Sequence, residues 1–124
     1  MCTILLSINP QHIENILNGT KCYEFRKRTC KEKVDKIVIY ATSPVQKVVA
    51  EAEVEDTLIE EPESLWKKTG DKSGITKNFF DEYYKNKKLA VAYKLKNVEK
   101  YSKPRELADY GVSSPPQSFV YVKL

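Results

Sequence analysis

Apolar residues come in short groups along this chain, and their period changes from group to group. Residues 2–8 form a compact run rich in Ile and Leu, short enough for a buried strand. A helix is predicted immediately after it. Asn9 can cap the first amides, Pro10 suits the first helical position, Ile13, Ile16 and Leu17 share a face, and Gly19 supplies a left-handed stop. Residues 21–28 alternate, with Tyr23 and Phe25 on one face and Glu24, Arg26 and Arg28 on the other. Residues 36–42 read as a strand closed by the Ser43-Pro44 turn signal. Residues 46–57 read as a longer strand whose Val48, Ala50, Ala52 and Val54 face a core while Glu51, Glu53 and Glu55 face water.

Pro62 opens a short helix containing Leu65 and Trp66, and Thr76 caps a second helix whose Phe79, Phe80, Tyr83 and Tyr84 make a broad aromatic face. The stretch between them, residues 68–74, reads as a loop. Alternation returns over residues 88–101, with Leu89, Val91, Tyr93 and Leu95 inward and Lys94 and Lys96 outward. A turn of helix at 104–108 and a last strand at 118–124, its entry fixed by Pro115-Pro116, complete the order. Short connections between the middle strands predict antiparallel pairing. The fold class is α+β: a small mixed barrel packed by helices, one domain over residues 1–124, with no repeat and no linker.

A length of 124 residues suits one domain. No apolar run approaches the roughly 20 residues that cross a bilayer. The first ten residues lack the basic start and small-residue cleavage site of a signal peptide, so the expected location is the cytoplasm, with no membrane partner. Cys2, Cys22 and Cys30 form an odd set without a C-x-x-C pair, which fits reduced thiols better than a disulfide framework or a zinc site. With His12 the one histidine, no multi-histidine metal centre is available, and neither metal nor cofactor is expected.

The net charge of +4 hides a segregation of signs. Residues 21–36 hold seven bases against three acids, residues 51–63 seven acids and no base, and residues 67–100 ten lysines against four acids. Such basic surface attracts nucleic acid or is simply a solvated face. The charges at 21–28 carry more information. Lys21 follows the glycine stop, Glu24 and Arg26 share a strand face, and all three can converge at the start of a barrel strand. If that face looks into a cavity, the charges must pair or meet a polar ligand. A carboxylate beside a guanidinium reads the donor and acceptor edge of a base or binds a phosphate; the alternative is a permanent, exposed ion pair worth little. Arg28 is a secondary phosphate contact or a solvated rim charge. Ser43 and Ser118 are hydroxyls placed to bond a ligand or to satisfy local turns. Cys22 has the parity to line the same cavity, and His12 reads as a rim residue. The aromatic face reads first as core, with only its tyrosines accessible; among Lys77, Lys85, Lys87 and Lys88 it also invites a stacking platform.

The run S-I-N-P, I-L-N-G-T-K and Y-E-F-R-K-R over residues 7–28 resembles the ASCH family (activating signal cointegrator homology), whose pattern G-x-K-x-x-E-x-R is met by Gly19, Lys21, Glu24 and Arg26. I-Y-A-T-S-P at 39–44 and P-P-Q-S-F at 115–119 extend the resemblance to the small members in archaea and bacteria. The resemblance implies a PUA-like pseudobarrel of five or six strands with a cleft beside the first helix. It also implies a partner that is RNA or a modified nucleoside, held by Lys21, Glu24 and Arg26. Some small ASCH proteins are similar to amidohydrolases that deacylate modified cytidine with a lysine, a threonine and a distant glutamate. Lys21 matches that lysine, but Glu24 stands where the threonine is expected. Three classes therefore stay open: a binding module, a hydrolase or ribonuclease with Lys21 and Glu24 catalytic, and a protein-interaction or co-regulatory module.

Overall fold

In the computed structural model, which describes residues 1–123, the N-terminal apolar run is a strand, β1 (Thr3–Ile8), enclosed on both faces. Helix α1 (Pro10–Leu17) starts where the sequence places it: the Asn9 side chain accepts from the Gln11 amide at 2.7 Å, and Gly19 takes φ +86° after the last turn. Ile13 and Ile16 are buried, each worth about 2 kcal/mol of apolar transfer. The remaining strands are β2 (Tyr23–Arg26), β3 (Lys36–Ala41), β4 (Lys47–Glu60), β5 (Ala90–Arg105) and β6 (Phe119–Val122). Helices α2 (Pro62–Thr69) and α3 (Lys77–Tyr83) lie between β4 and β5, and Thr76 caps α3 by accepting from the Phe79 amide at 3.1 Å.

The six strands form one sheet in the order β2-β5-β4-β3-β1-β6, curled into a half-barrel of the PUA-like α+β kind. Strand β1 runs parallel to β3, and every other pairing is antiparallel. Three register irregularities along the β4–β5 pair bend this long ribbon, as bulges do. The concave face holds Ile4, Leu6, Ile37, Ile39 and Tyr93, closed by α1. On the convex face Leu5, Val38, Val48 and Tyr101 pack under a cap of residues 107–112. A third cluster joins Phe25 and Ala92 to Leu65 of α2 and Phe80 of α3.

The structure departs from the sequence reading in several places. Strand β2 does not pair with its successor β3; it crosses to the far edge of the sheet and joins residues 91–94 of β5, on the side that β4 leaves open. The 68–74 stretch is not simply a loop, because α2 continues to Thr69 and a 3₁₀ turn follows over Gly70–Lys72. Leu89 is 55% exposed, while Ala90 and Ala92 are buried: α2 and α3 cover the face of β5 that simple alternation assigns to solvent. The strand also runs on through Pro104, so the expected helical turn is a 3₁₀ turn that begins at Leu107. The predicted strand end at Leu124 lies outside the described residues. No helix is long and apolar enough to cross a membrane.

Candidate functional site

Lys21 comes off the α1 stop with its amide donating to the Asn15 carbonyl at 3.0 Å, and the Cys22 amide then donates to the Lys72 carbonyl at 2.8 Å. Those bonds draw the 3₁₀ segment and Ser73–Gly74 across the lysine. Lys21 is 3% exposed. Its Nζ donates to the Ser73 carbonyl at 2.8 Å and stands 4.9 Å from the centre of the Phe25 ring. Gly74, at φ +69°, makes the close approach possible: a Cβ there would meet Lys21 Cβ at 2.6 Å. Burial holds the Lys21 ammonium below its ordinary pKa; neighbouring Glu24 works against that depression and Arg26 adds to it.

Two residues apart on β2, Glu24 and Arg26 project to the same side. Arg26 donates to Glu24 Oε2 through Nε at 3.1 Å and Nη2 at 2.8 Å, and Nη2 also donates to the Ser7 carbonyl at 2.9 Å. The side chains are 8% and 18% exposed, so the ion pair that the sequence offered as the alternative forms, but it is not exposed. Among the described residues Arg26 and not Lys21 is Glu24's ion-pair partner, and one donor of the Lys21 ammonium goes to the Ser73 carbonyl. Among the described residues Glu24 Oε1 has no hydrogen-bond partner. The strand is held in place from behind by Tyr84, whose hydroxyl lies 2.9 Å from the Arg26 carbonyl and 3.0 Å from that of Val91.

These three side chains share a cavity of about 180 Å³. Ser7 and Asn9 form its wall at the end of β1, and Phe79 and Tyr83 of α3 stand opposite. His12 of α1 also lines it, in edge-to-face contact with Phe79 at 5.8 Å between ring centres. Its Nδ1 is buried without a hydrogen-bond partner. Burial lowers the His12 pKa, and Lys21 and Arg26 push the same way against Glu24, so the imidazole is neutral at neutral pH. Among the described residues, no group of three His, Cys, Asp or Glu side chains could hold a metal ion.

The other sequence candidates are not brought to this cavity. Arg28 is exposed beyond the end of β2, Ser43 is exposed in the β3–β4 turn, and Ser118 is exposed just before β6; none lines the cavity. Cys22 is also outside the lining, its Sγ lying 3.6 Å from the Gly19 carbonyl, because the chain is not yet in strand geometry there and parity does not apply. The C-terminal motif approaches through its backbone instead: Ser7 Oγ donates to the Pro116 carbonyl at 2.8 Å. The aromatic face splits differently from the expectation. Phe80 and Tyr84 are buried, whereas Phe79 is 51% exposed and Tyr83 half-buried. Sequence reasoning missed Ser7, Asn9 as a lining group, and the strap at Ser73–Ile75; the one local signal for the strap is the glycine at 74.

Residues 1–113 match the family described as a domain of unknown function, DUF365. The chain is 34% identical over 122 residues to the large ribosomal subunit protein uL22 of Ureaplasma parvum, a match that covers 98% of this chain but 39% of that protein. It thus spans well under half the length of that relative. It is 28% identical over 94 residues to an ASCH domain-containing ribonuclease of Zymomonas mobilis, covering 75% of this chain and 64% of the ribonuclease. The crystal structure of an ASCH protein from Zymomonas mobilis superposes with a TM-score of 0.87 at 25% identity, over 98% of this chain and 87% of that one. The fold, the family match and the placing of Lys21, Glu24 and Arg26 on one cavity agree: the chain belongs to the DUF365 family, and its domain is an ASCH domain.

Proposed function

We propose that this domain binds RNA and takes one nucleobase, plain or modified, into the cavity of Lys21, Glu24 and Arg26. The observation that carries this reading is unused hydrogen-bonding capacity around a small space. The Lys21 ammonium has three donors and one carbonyl acceptor, Glu24 Oε1 is unpartnered, and both border about 180 Å³. That volume equals roughly six waters of liquid and falls below the roughly 300–1,000 Å³ of sites for larger ligands, so it suits one ring system and not a strand. A fixed donor beside a fixed acceptor is what reading a base edge requires. The ribonuclease name of the Zymomonas mobilis relative supports RNA as the ligand class. Arg28 serves phosphates outside the cavity, while Ser43 and Ser118 have no part in this reading.

A second reading, hydrolysis of the bound RNA or of an acyl group on its base, is favoured by the depressed pKa of Lys21 next to a carboxylate and a neutral His12. Lys21 would take the proton of a water that attacks the scissile bond, and Glu24, released from Arg26, would deliver one to the leaving group. The test is a titration of isotope-labelled protein with short single-stranded RNA and a panel of modified nucleosides, for the wild type and Arg26→Ala. Amide shifts centred on residues 19–28 and lost in the variant are the expected result. Diffuse, salt-sensitive shifts that ignore Arg26 would overturn the cavity reading. Time-dependent product that disappears in Lys21→Arg while binding persists would select hydrolysis.

A further inference from the structure

Helix α3 carries four aromatic residues, and the fold uses only two of them as core. Phe80 and Tyr84 fill the space against Phe25, Leu65 and Ala92. Phe79 and Tyr83, one helical turn apart, are left on the outer side. Their rings are within 9° of parallel with centres 6.5 Å apart, so two flat faces share one orientation at the mouth of the cavity. Phe79 is 51% exposed, so its ring is open to solvent beside the cavity that it lines. Asp81 and Glu82 lie on the same helix, but bases outnumber acids around the two rings. Lys27 Nζ stands 4.6 Å from the centre of the Tyr83 ring. Exposed Arg28 continues the basic exit from β2, and exposed Lys85, Lys87 and Lys88 follow α3 directly.

Resting on the reading above, we infer that Phe79 and Tyr83 form a second subsite, which stacks the nucleotide next to the one in the cavity while Lys27 and its neighbours follow the phosphates. The ligand is then a single strand and not a free nucleoside. Stacking accepts any base because every base has a π face, and it needs no hydrogen-bonding partner; an exposed ring pair beside lysines supplies that and little else. The neighbouring cavity, with its fixed donor and acceptor, supplies the selectivity. The two parts differ in kind: one reads an edge, the other holds a face.

The test compares affinities of uridine and adenosine hexamers with those of the corresponding nucleoside monophosphates, for the full chain and for Phe79→Ala, Phe79→Trp, Lys27→Gln and Arg26→Ala. The hexamers should bind more tightly than the monophosphates. Phe79→Ala should erase about 5- to 150-fold of that advantage, the loss expected for one stacked base, and Phe79→Trp should keep it. Lys27→Gln should lower the slope of log affinity against log salt by about one phosphate contact. If hexamers and monophosphates bind alike in the wild type, or if Phe79→Ala leaves their ratio unchanged, the second subsite is refuted while the cavity stands. If Arg26→Ala leaves all affinities intact, the cavity reading itself has failed. Far-ultraviolet circular dichroism of each variant separates a lost site from a lost fold.

Discussion

Two clusters of charge are built on this sheet, and they differ in how completely their members answer one another. On the convex face Lys36 pairs with Glu51 at 2.8 Å, and Tyr101 donates to the other Glu51 oxygen at 2.9 Å. Tyr110 is 3.1 Å from Tyr101, and Arg105 donates to Tyr110 at 2.9 Å while its guanidinium lies 3.8 Å over the Tyr101 ring. A depression of about 390 Å³ borders that chain, yet both Glu51 oxygens are already taken. In the cavity cluster, one Glu24 oxygen, the remaining Lys21 donors and His12 Nδ1 are left over. The first arrangement fastens the cap of residues 107–112 to the sheet; the second is set for something outside the chain. Exposure does not separate them, since the carboxylates are 19% and 8% exposed. Saturation of hydrogen bonds does.

The largest way to break this contrast is Gly74→Ala. It places a methyl 2.6 Å from Lys21 Cβ in a left-handed backbone, and overpacking plus the conformational penalty should cost about 3 kcal/mol in urea unfolding. RNA binding should fall with it, because the strap that positions Lys21 must shift. A smaller effect sharpens the comparison from both sides. Glu51→Gln weakens a charge-assisted network and should lower stability by about 1 kcal/mol, discounted for its partial exposure, without touching RNA affinity. Glu24→Gln should cut RNA affinity by about tenfold or more, the scale of one charge-assisted hydrogen bond. Equal effects of the two substitutions on binding would erase the distinction.

The same pair differs in acid. The hydrogen bond and charge of Lys36 hold the Glu51 carboxyl below its usual pKa, aided by Tyr101 and opposed by burial. The stabilisation is therefore complete above about pH 4.5 and lost as pH falls through the lowered folded value. Glu51→Gln should flatten that limb of the stability curve. His12 carries the opposite chemistry. Its folded pKa lies below 6.5, so the unfolded chain takes up the proton first and stability falls as pH drops below about 6.5. Replacing His12 by Gln should remove that step in a denaturation series across pH 5 to 7, and a ligand that contacts the ring should shift it. The smallest expected effect is that of Ser43→Ala, whose exposed turn lies off the cavity: RNA affinity should stay within twofold, read by the same titration.

Local rules carried the reading of this chain where the physics is local. The Asn9 cap, the Thr76 cap, the alternation of Val48 to Val54 and the grouping of Lys21, Glu24 and Arg26 are short-range facts, and the structure keeps each of them. The larger failures are matters of who arrives from elsewhere. Leu89 falls just before β5 begins and is exposed, while Ala90 and Ala92 are buried because α2 and α3 arrive on the face that alternation gives to solvent. Strand β2 skips its neighbour in sequence because both sides of β3 are taken, by β4 and β1, while β5 has one side open. The strap over Lys21 comes from 52 residues away, and the Ser7 carbonyl reaches Arg26 across 19 residues, distances over which no periodicity speaks. Charge patterning found Lys21, Glu24, Arg26 and Glu51 but not Arg105, and it could not tell a closed network from an open one, since that depends on partners supplied by the fold.

The bond between Arg26 and Ser7 has a mechanical meaning. Strands β2 and β6 are the two free edges of the half-barrel, and β1 lies next to β6, its last rung there being Leu6 with Phe119. At Ser7 the ladder has run out, and its carbonyl is met by a guanidinium from the opposite edge. The incomplete barrel is thus clasped by one side chain at its seam, and that same side chain borders the cavity. A guest that engages Arg26 must either share the clasp or replace it, so occupancy and closure of the barrel are thermodynamically linked. Amide exchange along β2 and at the end of β1 would register the guest as a change in how often the seam opens.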